Sequence, residues 1–287
     1  MIDLKQHPLY KQMEVDSVLS NVFNIYLKKF VNLFIFSFIA VFFIQLLAYN
    51  LGFLDLYKFS DQPEIMLREM SRLMGKVGIY TVGAVIIYGI LNAFLVNYIL
   101  KSDVDPKFAV GDLFMESFKK YSIHMIFFLI LSFLIVFFGA LAGILAFIIG
   151  SFVAIIYLGT VLFPGGAIVV AEEKNAMEAI GRTFSLSHRD FWPALGAMVL
   201  FVLIMIFISI VTAAIMSVPF VIMFFDNWKE TGNIIEAFSL HKYDIGMWTV
   251  VLNSIVSAVI YPLYAIFSVV LYFKLKFTED QKAAVAQ

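Results

Sequence analysis

Residues 123–171 form a run of 49 positions without a single Asp, Glu, Lys or Arg. As one helix the run would be about 74 Å long at ~1.5 Å per residue, against a hydrocarbon core of about 30 Å. Inside a bilayer the backbone must satisfy its own hydrogen bonds, so the run has to fold back as a helical hairpin. Gly150-Ser151 suit a turn, which is expected between 146 and 151. That gives two spans, 123–146 and 152–171.

The rest of the chain follows the same rule. Of 287 residues, 62% are hydrophobic and 14% charged, where soluble domains are about half apolar and about a quarter charged. Further membrane-length runs cover about 30–50, 77–100, 191–218 and 246–272, so six spans are expected. Connections fall at 51–76, where Pro63-Glu64 suits the start of a short helix ending at Lys76, and at 226–244. Gly78, Gly83 and Gly89 in the second span, and the GxxxG of Gly139 and Gly143 in the third, offer close helix approach. In the third span, GxxxG is also a candidate self-dimerisation motif. Pro164-Gly165-Gly166 should kink or break the fourth span, Pro219 end the fifth and Pro262 interrupt the sixth. Lys274 and Lys276 should stop the sixth and leave a short polar tail.

A polar pattern recurs before each pair of spans. In the third copy, residues 171–192 (AEEKNAMEAIGRTFSLSHRDFW), Asn175 and Glu178 fit a helix N-cap with its reciprocal glutamate. Aligned on Phe184, residues 15–30 place Phe23, Lys28 and Phe30 beneath Phe184, Arg189 and Phe191, and residues 110–123 place Phe118 in the same column. Val15, Val18, Leu19, Val22, Phe23 and Tyr26 make an apolar stripe in the first copy. Such a stripe suits a helix lying in the headgroup plane, or one packed on the ends of the bundle. The fold expected is therefore an all-α membrane protein: six transmembrane helices in three repeats (about 13–100, 108–171 and 175–275), each an amphipathic interfacial helix plus a transmembrane hairpin, followed by a polar tail, 276–287.

Charge orients the chain. The N-terminal segment, 101–122, 172–190 and the tail carry fourteen of the twenty cations, so both termini and the three leads are expected in the cytoplasm. A net charge of −1 argues against a nucleic-acid partner. The absence of cysteine excludes disulfides, thiolate nucleophiles and Cys-ligated metals. The first apolar run follows a polar lead without a small-residue cleavage site, so all spans are expected to be retained.

Residues 163–196 (FPGGAIVVAEEKNAMEAIGRTFSLSHRDFWPALG) resemble the membrane domain that accompanies glycerophosphodiester phosphodiesterases and the related YciC-like inner-membrane proteins. Pro164, Glu172, Glu173, Ala179, Arg182, Phe184, Leu186, Phe191 and Trp192 stand at matching places. Ser187-His188-Arg189-Asp190 departs from the Gly-containing link usual there. The resemblance implies six spans in a bacterial inner membrane and a non-catalytic membrane part. The chain has no room for the catalytic barrel, which would need some 250 further residues.

Candidate chemistry is sparse. Intramembrane charges are the usual mark of function, and none falls at mid-depth. Asn92 and Asn253, with Tyr261, are the intramembrane polar candidates, read as interhelical hydrogen-bond partners or, in a carrier, as the lining of a water-reachable cavity. Glu172, Glu173 and Arg182 form the remaining constellation, expected to tie the third lead to the bundle as an ion pair. Arg182, Arg189, Lys28 and Lys119 are candidates for contact with anionic lipid headgroups. His7, His124, His188 and His241 lie too far apart in the expected topology to share a metal. No catalytic, cofactor-binding or metal-binding residue is assigned. The role expected is a non-enzymatic scaffold or accessory protein touching membrane lipids and a protein partner or second copy of itself. A carrier of a small or lipidic solute is the alternative, and an intramembrane lipid enzyme the third.

Overall fold

The computed structural model describes residues 4–52, 63–104, 108–145, 147–234 and 247–285, and every regular element among them is helical. In chain order these are a 3₁₀ turn (Leu4–Gln6), α1 (Val15–Asn50), α2 (Pro63–Ser102), α3 (Val110–Glu116), a π turn (Ser117–Tyr121), α4 (Ser122–Ile144), α5 (Phe147–Leu162), α6 (Gly165–Ala171), α7 (Ala176–Ser187), a second 3₁₀ turn (His188–Asp190), α8 (Phe191–Thr231) and α9 (Met247–Val285). Six helical stretches are long and apolar enough to cross a membrane. The all-α, multi-pass architecture read from the apolar runs is therefore observed.

The boundaries differ from expectation because helix does not stop where hydrophobicity does. At 36 and 40 residues, α1 and α2 would be about 54 and 60 Å long. Neither breaks at the polar-to-apolar junctions near Phe30 and Val77, so the first lead is an extension of its span. The second lead runs into α4 through the π turn, where the Ser122 hydroxyl donates to Ser117 O at 3.1 Å. The third lead is α7, a helix of its own. It joins α8 through the second 3₁₀ turn. The fifth span continues through position 219 to Thr231, and Pro262 sits inside α9 without ending it. The tail is not a separate segment: α9 runs on past Lys274 and Lys276 to Val285.

The hairpin of 123–171 turns at Leu145, one to six residues before the expected place, and Gly150 lies within α5. A side chain on Gly143 would come within 2.6 Å of the Gly150 and Ser151 backbone, and one on Gly139 within 2.3 Å of Leu158. Ser151 donates across the turn to Ala140 O at 2.9 Å. The GxxxG thus serves the α4–α5 contact inside the chain. Gly83 and Gly89 also allow close approach, to Leu47 and Ile126, whereas Gly78 faces open space.

The chain divides into two compact units. The first comprises Met1–Phe36, Val85–Val202 and Tyr261–Gln287. Its core joins Val18, Val22 and Leu33 of α1, Phe94 and Ile99 of α2, Ile168 of α6, Phe201 of α8, and Phe267 and Phe273 of α9, all fully buried. Phe201 and Phe267 stack at 4.1 Å. The second comprises Ser37–Ala84 and Leu203–Ile260. It buries Val41, Ile44, Met205, Val250 and Ala258 but exposes Phe43, Ile79, Phe207, Ile210 and Trp248. Large apolar side chains turned outward along these helices are what a lipid-facing surface requires.

Candidate functional site

Two features of the first unit carry its polar chemistry: an ion-pair clasp and a cavity.

The clasp begins at a helix end. After α6, Glu172 caps the helix and Glu173 adopts a left-handed backbone, φ 53°, the conformation that commonly reverses a chain after a helix. Asn175 then accepts the Glu178 amide at 3.0 Å and starts α7, as the Asn-x-x-Glu spacing indicated. Ala176, Ala179, Thr183, Leu186 and Ser187 form the buried stripe of α7, and Ser187 donates to Val161 O of α5 at 3.1 Å. The third lead therefore packs its apolar face on protein. Arg182 flanks that stripe.

All three guanidinium nitrogens of Arg182 are engaged. Nε donates to both Glu172 carboxylate oxygens at 3.1 and 3.0 Å, while Nη1 and Nη2 make a paired fork to Glu279 at 2.8 and 2.5 Å. The Glu172–Arg182 pair expected from sequence is present, and Glu279 of α9 is its unforeseen second half. Tyr272 donates to Glu172 at 3.2 Å; Lys276 bridges Glu279 and Asp280 at 3.0 and 2.9 Å; Tyr10 donates to Asp280 at 2.7 Å. Arg189 lies 3.3 Å from Glu279, Lys274 pairs with Asp190 at 2.5 Å and Lys120 with Glu173 at 2.6 Å. Three cations (Arg182, Arg189, Lys276) meet three anions (Glu172, Glu279, Asp280), so the centre of the clasp is neutral.

A second set of pairs holds α1 to the end of α2: Lys28 and Lys29 reach Asp103 at 3.3 and 2.9 Å, and Lys29 also donates to Ser102. Burial pushes the Asp103 carboxyl up, but the two ammoniums outweigh it and hold it below its ordinary range. Beside them His7 is buried (2% exposed), stacked on Phe273 at 4.3 Å, with Nδ1 accepting the Leu9 amide at 3.1 Å. Desolvation lowers its pKa to about 4, against a small upward pull from Asp103.

Most of the cations proposed for lipid contact are therefore engaged in protein pairs. Lys28 pairs while remaining 74% exposed, and Lys119 is exposed without an ion-pair partner among the described residues. Lys119 follows Val110, Phe114, Met115 and Phe118, the exposed apolar face of the second lead.

The cavity, about 320 Å³, lies between α2, α4, α5, α6 and α9 of the first unit. Asn92 and Tyr261 line it together: the Asn92 amide donates to the Tyr261 hydroxyl and to Tyr88 O. Asn253 is not part of it. That residue belongs to the second unit. Ser132, Tyr264 and Ser268 are the other lining residues with hydroxyls, and none of them stood out in the sequence. Ser268 donates to Phe163 O at 2.9 Å, satisfying a carbonyl at the break before Pro164. Among the described residues no three His, Asp or Glu side chains converge as metal ligands. His188 is held by Tyr157 and Phe184 O at 2.7 and 2.6 Å, and His241 lies outside the described residues.

Comparison of the chain with protein-family models, with curated proteins and with solved structures gives no match.

Proposed function

We propose that the chain is a non-enzymatic scaffold or accessory protein of a bacterial cytoplasmic membrane, in contact with lipid, with both termini on the cytoplasmic side. The observation that carries this reading is where its charges go. No Asp, Glu, Lys or Arg falls within 30–50 after the opening turn, 77–100, 123–171, 191–225 or 247–273. The charges at the polar end of the first unit close on one another around Arg182. A proton- or ion-coupled carrier needs a titratable group at mid-depth, and hydrolytic or transfer chemistry needs an activated nucleophile or base; neither has a candidate among the described residues. The exposed Val110–Phe118 face beside Lys119 suits the headgroup region. The resemblance of residues 163–196 to the phosphodiesterase-associated membrane domain supports the same role and location.

Purification from native membrane followed by mass spectrometry of everything retained tests the proposal. Phospholipid, with or without a protein partner, is expected in stoichiometric amount; a stoichiometric soluble metabolite and no partner would reject it. The second reading, a carrier, is favoured by one feature only, the cavity that Asn92 and Tyr261 line.

A further inference from the structure

The cavity of the first unit has walls that match one kind of occupant. Met125, Phe128 and Leu129 of α4 and Leu162 of α5 make it apolar, and no charged residue lines it. Two hydroxyls are free to donate into it. Ser132 Oγ is buried without a hydrogen-bond partner. Tyr261 receives the Asn92 amide, which leaves its own proton to give. A mostly apolar wall with a few fixed polar groups is the usual form of a small-molecule site, and this one is at the small end of the ~300–1,000 Å³ range. Donors without a charge suit a neutral molecule bearing an acceptor oxygen.

Depth narrows the source. Along α9 the lining residues Ser268 and Tyr261 precede the first charged residue, Lys274, by six and thirteen positions. At ~1.5 Å per residue that is about 9 and 20 Å, from within one leaflet to just past the centre of a ~30 Å core. Tyr264, also a lining residue, is 40% exposed, so the wall reaches the outer surface of the helices within this apolar length. At this depth an opening meets hydrocarbon rather than water. We propose that this cavity binds one acyl chain of a membrane lipid, with Ser132 and Tyr261 donating to an ester or carbonyl oxygen that enters with it. The inference deepens the lipid-contacting role proposed above and rests on it.

Gly159 supplies the test. Gly159 lines the cavity and a Cβ there meets nothing nearer than 4.0 Å, at the flexible end of Met198, so Gly159→Leu adds bulk at the cavity wall where its first side-chain carbon has room. The protein is reconstituted in vesicles of phosphatidylethanolamine and phosphatidylglycerol that contain phosphatidylethanolamine with a diazirine in its acyl chain. It is then irradiated and mapped residue by residue. Wild type should be modified at the cavity residues Phe128 and Leu129 as well as at the outward residues Phe133 and Phe207. Gly159→Leu should lose the cavity modification severalfold and keep the outer one. Ser132→Ala serves as a second variant with little steric demand, and it should weaken retention of lipid in the native mass spectrum. Cavity residues that stay unmodified in wild type, or that are modified equally in Gly159→Leu, overturn the inference. An unmodified cavity beside modified outer faces leaves the scaffold reading intact. A stoichiometric soluble metabolite with a lipid-modified cavity rejects the scaffold reading and keeps this one.

Discussion

Arg182 shows how one side chain can hold a membrane protein's polar end. Its fork joins the end of α6 to the far end of α9, and removing it would leave Glu172 and Glu279 facing each other with little water to screen them. The loss of one partner from a buried network costs about 3–5 kcal/mol, and less where, as here, the groups keep some exposure. Arg182→Glu should therefore lower the melting temperature in detergent far more than Lys282→Glu, whose ammonium makes a single exposed bond to Arg189 O. Arg182→Lys should fall between them, since an ammonium keeps the charge but cannot reproduce the planar two-pronged fork to Glu279 together with the Nε contacts to Glu172. Equal melting temperatures for the two glutamate variants would remove Arg182 from this role.

His7 gives the same end of the molecule a pH dependence. Its folded pKa, about 4, lies below the ordinary 6.5 because burial disfavours the charged ring. Above pH 6.5 both folded and unfolded chains hold it neutral. Below that, the unfolded chain takes up the proton first, so stability is lost as pH falls from 6.5 towards 4, by of order 3 kcal/mol in full. Thermal unfolding measured between pH 7.5 and 4.5 should show this decline in wild type. His7→Phe, which keeps a ring against Phe273, should show a shallower one.

At the scale of the element, the α4–α5 hairpin is decided by glycine. Gly143 sits where any side chain would meet the backbone of Gly150 and Ser151, which cannot move aside as a flexible side chain would. Gly143→Ala should destabilise by about 1–3 kcal/mol through overpacking. Gly78→Ala, in open space on α2, should be neutral or slightly stabilising, because alanine is the better helix former. Both are read as detergent melting temperatures, and a loss for Gly78→Ala that matched Gly143→Ala would deny the hairpin its close contact. The GxxxG was visible in the sequence, yet its use was not. The spacing is the same whether the facing helix belongs to the same chain or to another, and only the fold-back at Leu145 brings Gly150 opposite. The N-cap at Asn175 was legible, because the side chain and the Glu178 amide it accepts lie within four consecutive residues. Helix ends were less so. The hydrophobic run marks what lies in lipid, while the backbone hydrogen-bond ladder continues wherever its polar residues also favour helix, as in α1, α2 and the end of α9.

For the whole molecule, sidedness is the open physical variable that the cation distribution addresses. The pairs Lys28–Asp103, Lys120–Glu173, Arg182–Glu279 and Tyr10–Asp280 gather the N-terminal segment, the start of α4, α7 and the end of α9 into one polar end of the first unit. They therefore share one end of the first unit, and the proposed orientation, drawn from the excess of lysine and arginine, puts that end in the cytoplasm. The chain has no cysteine, so single cysteines report directly. Those at Lys119 and Arg189 should resist an impermeant thiol reagent applied from outside, and one at Asn233 should react. The reverse pattern would invert the orientation.

By itself the sequence determined that this chain is helical, crosses a membrane six times and keeps charge out of its crossings, because chain length, hydrocarbon thickness and the cost of an unpaired peptide group leave no other solution. It also announced Glu172 with Arg182, ten residues apart on neighbouring helices. Only the tertiary structure brought in Glu279, 97 residues further along, and the cavity whose lining comes from five helices. Partners that far apart in sequence carry no mutual spacing to read: packing alone sets their distance, and packing is a property of the assembled helices.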